Sequence, residues 1–517
     1  MKRWVAVTLA LALFQAPIPA LAQKKTLTIG MGTADAGKLD PHIASTTPDK
    51  GLLNYMFSGL VRMRPGQVSP ETIEPDLAES WSSNAAGTEW TFQIRQGVQC
   101  HWGYGEFTAE DAAYSLKRAG NKATSSYSND FSSIKSTEVV DKYTLKITLK
   151  NLVPGFLGYV ANINGGNMVC KKAAEEMGDG FSKKPIGTGP FMFAEYQPQQ
   201  YVKLVANKQY FRGAPQLDEI IYRYIPSDAS RDLAFQSGEL DMVYGKQDQA
   251  WMERAAKLPD TKVIAMEPAE MSTLFLNDTS KPLDDLRVRE AIAYAINRPQ
   301  IVALKGASTA REAVSVVPSG YLGTDEKAPL FPYDPAKSKK LLKEAGYADG
   351  VTIKTIHTTL PFMQNVIEAV QAQLKKVGIN LDVELVEHAT YHAQIRKDLS
   401  QLVHYNAGRF PIADIYLTQF YDSASIVGTP TAVTNFSHCN VADTEIRAAR
   451  SEPDANKQKE LWKVAQTKII KAVCGIPIYE QLQLWAWHSD LVLGYESNFK
   501  GSLNLSPPIT EKTHFTK

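Results

Sequence analysis

The chain has 517 residues, 44% of them hydrophobic and 21% charged, with 56 Lys and Arg against 55 Asp and Glu. So even a balance, without basic runs, argues against nucleic acid as a partner. A chain this long exceeds what one core usually supports, so two or three domains are expected.

The N-terminus reads as a secretory leader over residues 1–22. Lys2 and Arg3 are its positive region, Val5 to Phe14 its short apolar core, and Ala20-Leu21-Ala22 a small-x-small cleavage site before Gln23. Pro17 and Pro19 speak against a buried helix there. No cysteine stands just after the cleavage site, and no later stretch is long and apolar enough to span a bilayer. The mature chain is expected free in the periplasm. Its formal charge there is −1, from 56 less the two basic residues of the leader, against 55 acids.

Strand-like alternation comes next. Trp90, Phe92 and Ile94 share one face, as do Tyr143, Leu145, Ile147 and Leu149. Between them Thr108 opens a helix, with Asp111 as its capping partner. The Ser-rich run from Ala123 to Ser136 reads as a loop. Further on, Asp284 is the expected cap of a helix bearing Val288, Ile292, Ala295 and Ile296 on one face and ended by Pro299. Asp334, Pro335 and Gly346 bracket another helix. A third is predicted from Phe362 to Val377, with Val366, Ile367, Val370, Leu374 and Val377 on one face. Strands flank it, Val351 to His357 before and Ile379 to Leu385 after. That is a β-α-β unit with parallel strands. The fold class is α/β with mixed sheets.

Catalytic motifs fail. Gly30-Met31-Gly32 follows a strand-like run, but Asp35 stands where a dinucleotide loop needs glycine. There is no Walker A loop, no H-E-x-x-H and no G-x-S-x-G. Ser132-Ser133-Ile134-Lys135 fits S-x-x-K, but lies in the polar loop with no K-T-G elsewhere. His388 and His392, beside Glu387, fall on one helical face, yet no clustered third and fourth ligand accompanies them, so no metal site is assigned. No cofactor is implied. Cys100, Cys170, Cys439 and Cys474 are an even set suited to disulfides in an exported protein; four cysteines allow three pairings.

Five segments in order resemble the dipeptide/oligopeptide/nickel class of extracellular solute-binding proteins, family 5. They are Glu74-Pro75-Asp76-Leu77-Ala78-Glu79-Ser80-Trp81, Phe107 through Ser115, Gly187-Thr188-Gly189-Pro190-Phe191, Pro282 through Arg298, and Tyr333-Asp334-Pro335 through Gly346-Tyr347. The resemblance implies the large bilobal periplasmic-binding-protein fold, monomeric, hinged over a buried cleft and docking on an inner-membrane ABC permease pair. Lobe I would take 23–269, with an inserted subdomain near 60–180, plus 485–517; lobe II would take 270–484. Within that frame Cys100–Cys170 and Cys439–Cys474 are the expected disulfides, since each lies within one lobe.

The ligand site is where the chain departs from the family. Peptide-binding relatives carry Trp-x-x-Asp, whose Asp takes the peptide ammonium. Here Asn406-Ala407-Gly408-Arg409 stands in that place, followed by Phe410. A pocket Trp upstream is replaced by His388, near Tyr391. An anionic anchor has become cationic, and a guanidinium fork suits a carboxylate. The expected ligand contacts are Arg409, His388, Asn406, Phe410, Tyr391, Tyr405 and Trp487, with Trp485 nearby. The expected function is capture of a small organic anion or carboxylate-bearing ligand by hinge closure. An ordinary di- or oligopeptide is the alternative within the class, and a secreted hydrolase the alternative outside it.

Overall fold

A computed structural model describes residues 25–44, 46–67, 72–128, 130–153, 155–161, 165–428, 434–496 and 506–516. The leader expected over residues 1–22 lies outside them.

An 11-stranded mixed sheet runs through the molecule. Its centre is a pair of long antiparallel strands, Thr261–Leu276 and Gly475–His488. To one side lie Leu402–Ala407, Val351–Thr358 and Ile379–Val386; to the other lie Met242–Tyr244, Thr26–Met31, Glu219–Tyr224, Tyr201–Ala206 and Phe191–Gln197. Ala310–Glu312 pairs with Gly475–His488 off this path. The long pair is in register from Thr261 opposite His488 to Met266 opposite Gln483, then slips and resumes at Glu270 opposite Gln481. A slip of this kind is a bulge in the pairing. A second slip falls where Pro477 stands opposite Thr273.

The β-α-β unit is as expected. Val351–Thr358 and Ile379–Val386 are parallel neighbours joined by the helix Pro361–Lys375, with Gly378 at φ 94° in the turn that follows it. Val366, Ile367, Val370, Leu374 and Val377 are all buried in one core with Leu274, Leu276 and Val288. Each such side chain contributes about 1.5–3 kcal/mol by leaving water. A separate four-stranded antiparallel sheet holds Glu89–Ile94 and Thr144–Leu149 at its centre, flanked by Ala78–Ser83 and Ile134–Asp141. Thr108 and Asp111 form the capping box of helix Ala109–Ala119. The chain's last described segment returns to the first half of the sheet, where Tyr55 Oη meets Ser506 Oγ at 3.2 Å and Gln216 N–H donates to Glu511 O at 3.1 Å.

Three local expectations need correction. Asp285, not Asp284, caps helix Leu286–Ala295, its carboxylate accepting the Arg287 N–H at 2.9 Å. Of two adjacent acids, only the one directly before the first helical residue reaches that donor. Pro299 does not end this helix but opens the next, Arg298–Lys305, behind an Asn297 cap; proline's fixed φ fits a first turn. The polar loop gives way to strand at Ile134. The disulfides are Cys100–Cys170 and Cys439–Cys474.

Candidate ligand-binding site

Strand Leu402–Ala407 ends at Gly408, and the chain turns through Arg409 and Phe410 into the helix Ala413–Tyr421, every residue of which is buried. That geometry carries Arg409 inward, to 8% exposure. Its main chain is pinned by Tyr321, whose hydroxyl accepts the Arg409 N–H at 3.0 Å and donates to its carbonyl at 2.7 Å. The guanidinium donates Nε to Gln419 Oε1 and Nη1 to Gly408 O at 2.8 Å, and lies 4.9 Å from the Phe420 ring centre. Gln419 Nε2 in turn donates to both carboxylate oxygens of Asp130, at 2.7 and 2.8 Å. Burial pushes Asp130 up to about 6.

A second cation approaches from the far end of the sequence. Lys50, on helix Thr47–Leu53, is 8% exposed, and its ammonium sits 5.4 Å from the Tyr127 ring centre. Burial, then the neighbouring Arg409, pulls it down to about 7; Glu270, Arg396 and Asp130 also act on it. Glu270, raised by burial, accepts a hydrogen bond from Thr47 Oγ1 at 2.7 Å. Arg396 donates Nη1 to His392 O at 3.1 Å. Of the charges that meet at this point, Lys50, Arg396 and Arg409 outnumber Glu270 and Asp130.

The other expected residues fall around this point unevenly. Asn406 leaves both amide atoms buried with no hydrogen-bond partner among the described residues. Tyr405 is buried between His392, 5.7 Å away, and Phe436, 5.1 Å away. Tyr391 is fully buried, its hydroxyl donating to His404 O at 2.5 Å. Phe410 packs on Gly158, where an added Cβ would come within 2.5 Å of the ring, so glycine lets the helix Phe156–Val160 approach. Beside that contact Tyr159 donates to Asp414 at 2.5 Å, and Asp414 pairs with Arg450 at 3.1 Å. Trp487 lies toward the opposite end of the long strand pair, opposite Met242 and Lys262. Trp485 makes an edge contact with Tyr244 at 5.3 Å.

His388 belongs to one of two histidine pairs. Its Nδ1 is 3.1 Å from Thr358 Oγ1 and its Nε2 is 3.2 Å from His392 Nε2. His357 and His404 stack, 2.9 Å between ring nitrogens, and His404 reaches Ser272 Oγ at 2.8 Å. Burial lowers all four, His357 to about 4 and His392 to about 2. Among the described residues no group of three His, Cys, Asp or Glu could hold a metal ion, and no helix is long and apolar enough to cross a membrane.

Sequence reasoning missed Lys50, Tyr127, Asp130 and Arg396. The only sequence signal was position: Tyr127 and Asp130 lie in the polar loop, and loops held by a rigid scaffold are where binding residues concentrate.

The model of the bacterial extracellular solute-binding proteins, family 5, matches residues 72–427. The glutathione-binding protein GsiB of Salmonella typhimurium is 30% identical over 504 residues, covering 95% of this chain and 96% of that protein. Among solved structures, MoaA of A. tumefaciens R10 in complex with mannopinic acid is 48% identical, with a TM-score of 0.92 over 96% of this chain and 100% of that one. DppA of Helicobacter pylori in complex with the peptide STSA is 26% identical, with a TM-score of 0.86 over 96% and 99%. The family consists of periplasmic or extracellular binding proteins, not enzymes, that take small molecules or peptides and work with ABC permeases. The chain belongs to the bacterial extracellular solute-binding proteins of family 5 and is a binding-protein receptor of an ABC importer.

Proposed function

We propose that this receptor captures a small, amino-acid-derived organic acid, holding its carboxylate on Arg409, and catalyses no reaction. The observation that carries the reading is the burial of Arg409 where the chain leaves strand Leu402–Ala407, with Gln419 and Asp130 behind it. A buried guanidinium offers a planar fork to a carboxylate in a low dielectric, where a paired charge matters most. The carboxylates of Glu270 and Asp130 in the same space suit an ammonium on the same ligand. The likeness to a receptor captured with mannopinic acid, and to glutathione-binding relatives, supports an acid over a plain oligopeptide. Asn406, Tyr405 and His388 stand around the same point; Tyr391 and Phe410 contribute to its walls from behind, while Trp487 lies away from it along the long strand pair.

The mechanism is closure of two lobes. Lobe I comprises 23–269 with its subdomain near 60–180 and the return 485–517; lobe II comprises 270–484. The register slip between the Met266–Gln483 and Glu270–Gln481 pairs is the hinge in this reading, because the broken ladder there bends at least cost. Gln419–Asp130, Tyr159–Asp414, Thr47–Glu270 and Phe410 against Gly158 are then interlobe ties of the closed form. The receptor works as a monomer in the periplasm after loss of the leader.

Native mass spectrometry of freshly purified protein, with mannopinic acid, glutathione and dipeptides then offered to the emptied receptor, tests this. An acid should bind unchanged, shrink the radius of gyration in small-angle scattering, and stabilise the fold by about 2.7 kcal/mol at a hundredfold excess over Kd. Preference for neutral or cationic peptides, chemical conversion of the ligand, or an unchanged radius of gyration would overturn it.

A further inference from the structure

Among the described residues the buried cations are, with one exception, held by hydrogen bonds. Arg231, 1% exposed, donates to Tyr244 O at 2.8 Å, Ile225 O at 2.7 Å and Asp228 at 2.5 Å. Arg289 donates to Ala472 O at 3.1 Å and Leu283 O at 2.7 Å. Lys305 reaches Phe362 O at 3.4 Å and lies over the rings of Phe362 and Tyr479. The Lys50 ammonium has no hydrogen bond or ion pair among the described residues, only the Tyr127 ring.

The acids that could answer it are already engaged. Glu270 accepts from Thr47, and Asp130 accepts from Gln419 with both oxygens. Asp49, its neighbour in the helix, accepts from Thr46 Oγ1 at 2.6 Å and Gly37 N–H at 3.0 Å. The remaining groups that act on Lys50 repel it or are neutral: Arg409, Arg396, His392 and the Tyr127 ring. An ammonium withdrawn from water without a partner is unfavourable unless something later supplies one.

We propose that Lys50 is a second anion-holding residue of this site, closing on the ligand's carboxylate from the Thr47–Leu53 helix while Arg409 holds it from the other side. This rests on the organic-acid reading above. It makes Lys50 the lobe I half of a two-sided clamp, so the anion is fully held only when the lobes are together, and closure is coupled to the sign of the ligand's charge. In the closed form without a ligand, burial and Arg409 pull Lys50 below its ordinary value, and a carboxylate between the two cations relieves both.

Calorimetry at neutral pH tests this, with mannopinic acid and glutathione as probes against the wild type, Lys50→Met and Lys50→Arg. Lys50→Met should bind about ten- to a hundredfold more weakly than the wild type. Lys50→Arg should retain more affinity than Lys50→Met, because it keeps the charge. An acid that binds Lys50→Met as tightly as the wild type overturns the role of Lys50 and leaves the organic-acid reading standing. An acid that binds no form of the protein overturns both. Melting curves of the three proteins separate loss of binding from loss of fold.

Discussion

Two charged regions of this receptor are built on opposite rules. Around Asp76, 3% exposed, every buried charge is answered: Arg212 pairs with it at 3.2 Å, the Gly59 N–H donates at 3.1 Å, and nearby Arg62 has Glu74 at 2.9 Å. Around Lys50 three cations share a space with two acids already engaged by neutral donors. A fold needs closed networks, since breaking a buried pair strands its partner. An open one is a local cost, and such costs gather where a partner is to arrive.

Variants in the two regions should therefore behave in opposite ways. Asp76→Ala strands Arg212 and should lose about 3–5 kcal/mol of stability in denaturant unfolding, with ligand affinity unchanged in the folded fraction. A loss below about 0.5 kcal/mol would erase the contrast. Replacing Cys439 and Cys474 by Ala opens a loop enclosing 34 residues. It should cost about 3–4 kcal/mol in the chain-entropy model, again without changing ligand preference.

Lys50→Met should instead leave the empty receptor as stable as the wild type near neutral pH, because its removal strands no partner. A loss of about 3 kcal/mol or more, as at Asp76, would contradict an unpaired ammonium. The smallest effect belongs to His388. Burial holds it below its ordinary value, so His388→Gln should leave the pH profile of binding between 6.5 and 8 unchanged; loss of an inflection there would return His388 to direct anion contact.

What was legible in the sequence was local. The Thr108–Asp111 capping box, the β-α-β unit around Val366 to Val377, and the Asp334-Pro335 helix start each follow from residues a few positions apart, where propensity and periodicity act directly. The disulfide pairing needed the family's lobe division as well. Arg409 stood out because it reverses a charge at a recognisable position. Lys50 and Asp130 did not, because their meaning lies in long-range contacts: Gln419 and Asp130 are 289 residues apart in the chain. Nor could the sequence say that the Tyr391 hydroxyl is taken by the His404 carbonyl, or that the Phe410 ring fills the space beside Gly158. An aromatic near a site reads the same whether it lines the site or supports it.

Arg409 remains the most direct point of attack. Calorimetric titration of mannopinic acid into the wild type, Arg409→Lys and Arg409→Ala measures what its guanidinium contributes. A hydrogen bond to a charged partner is worth about 1.5–3 kcal/mol, so Kd should rise about ten- to a hundredfold in Arg409→Ala. Arg409→Lys should recover part of that, because it restores the charge without the fork. Equal Kd values in all three folded proteins would contradict an organic acid held on Arg409.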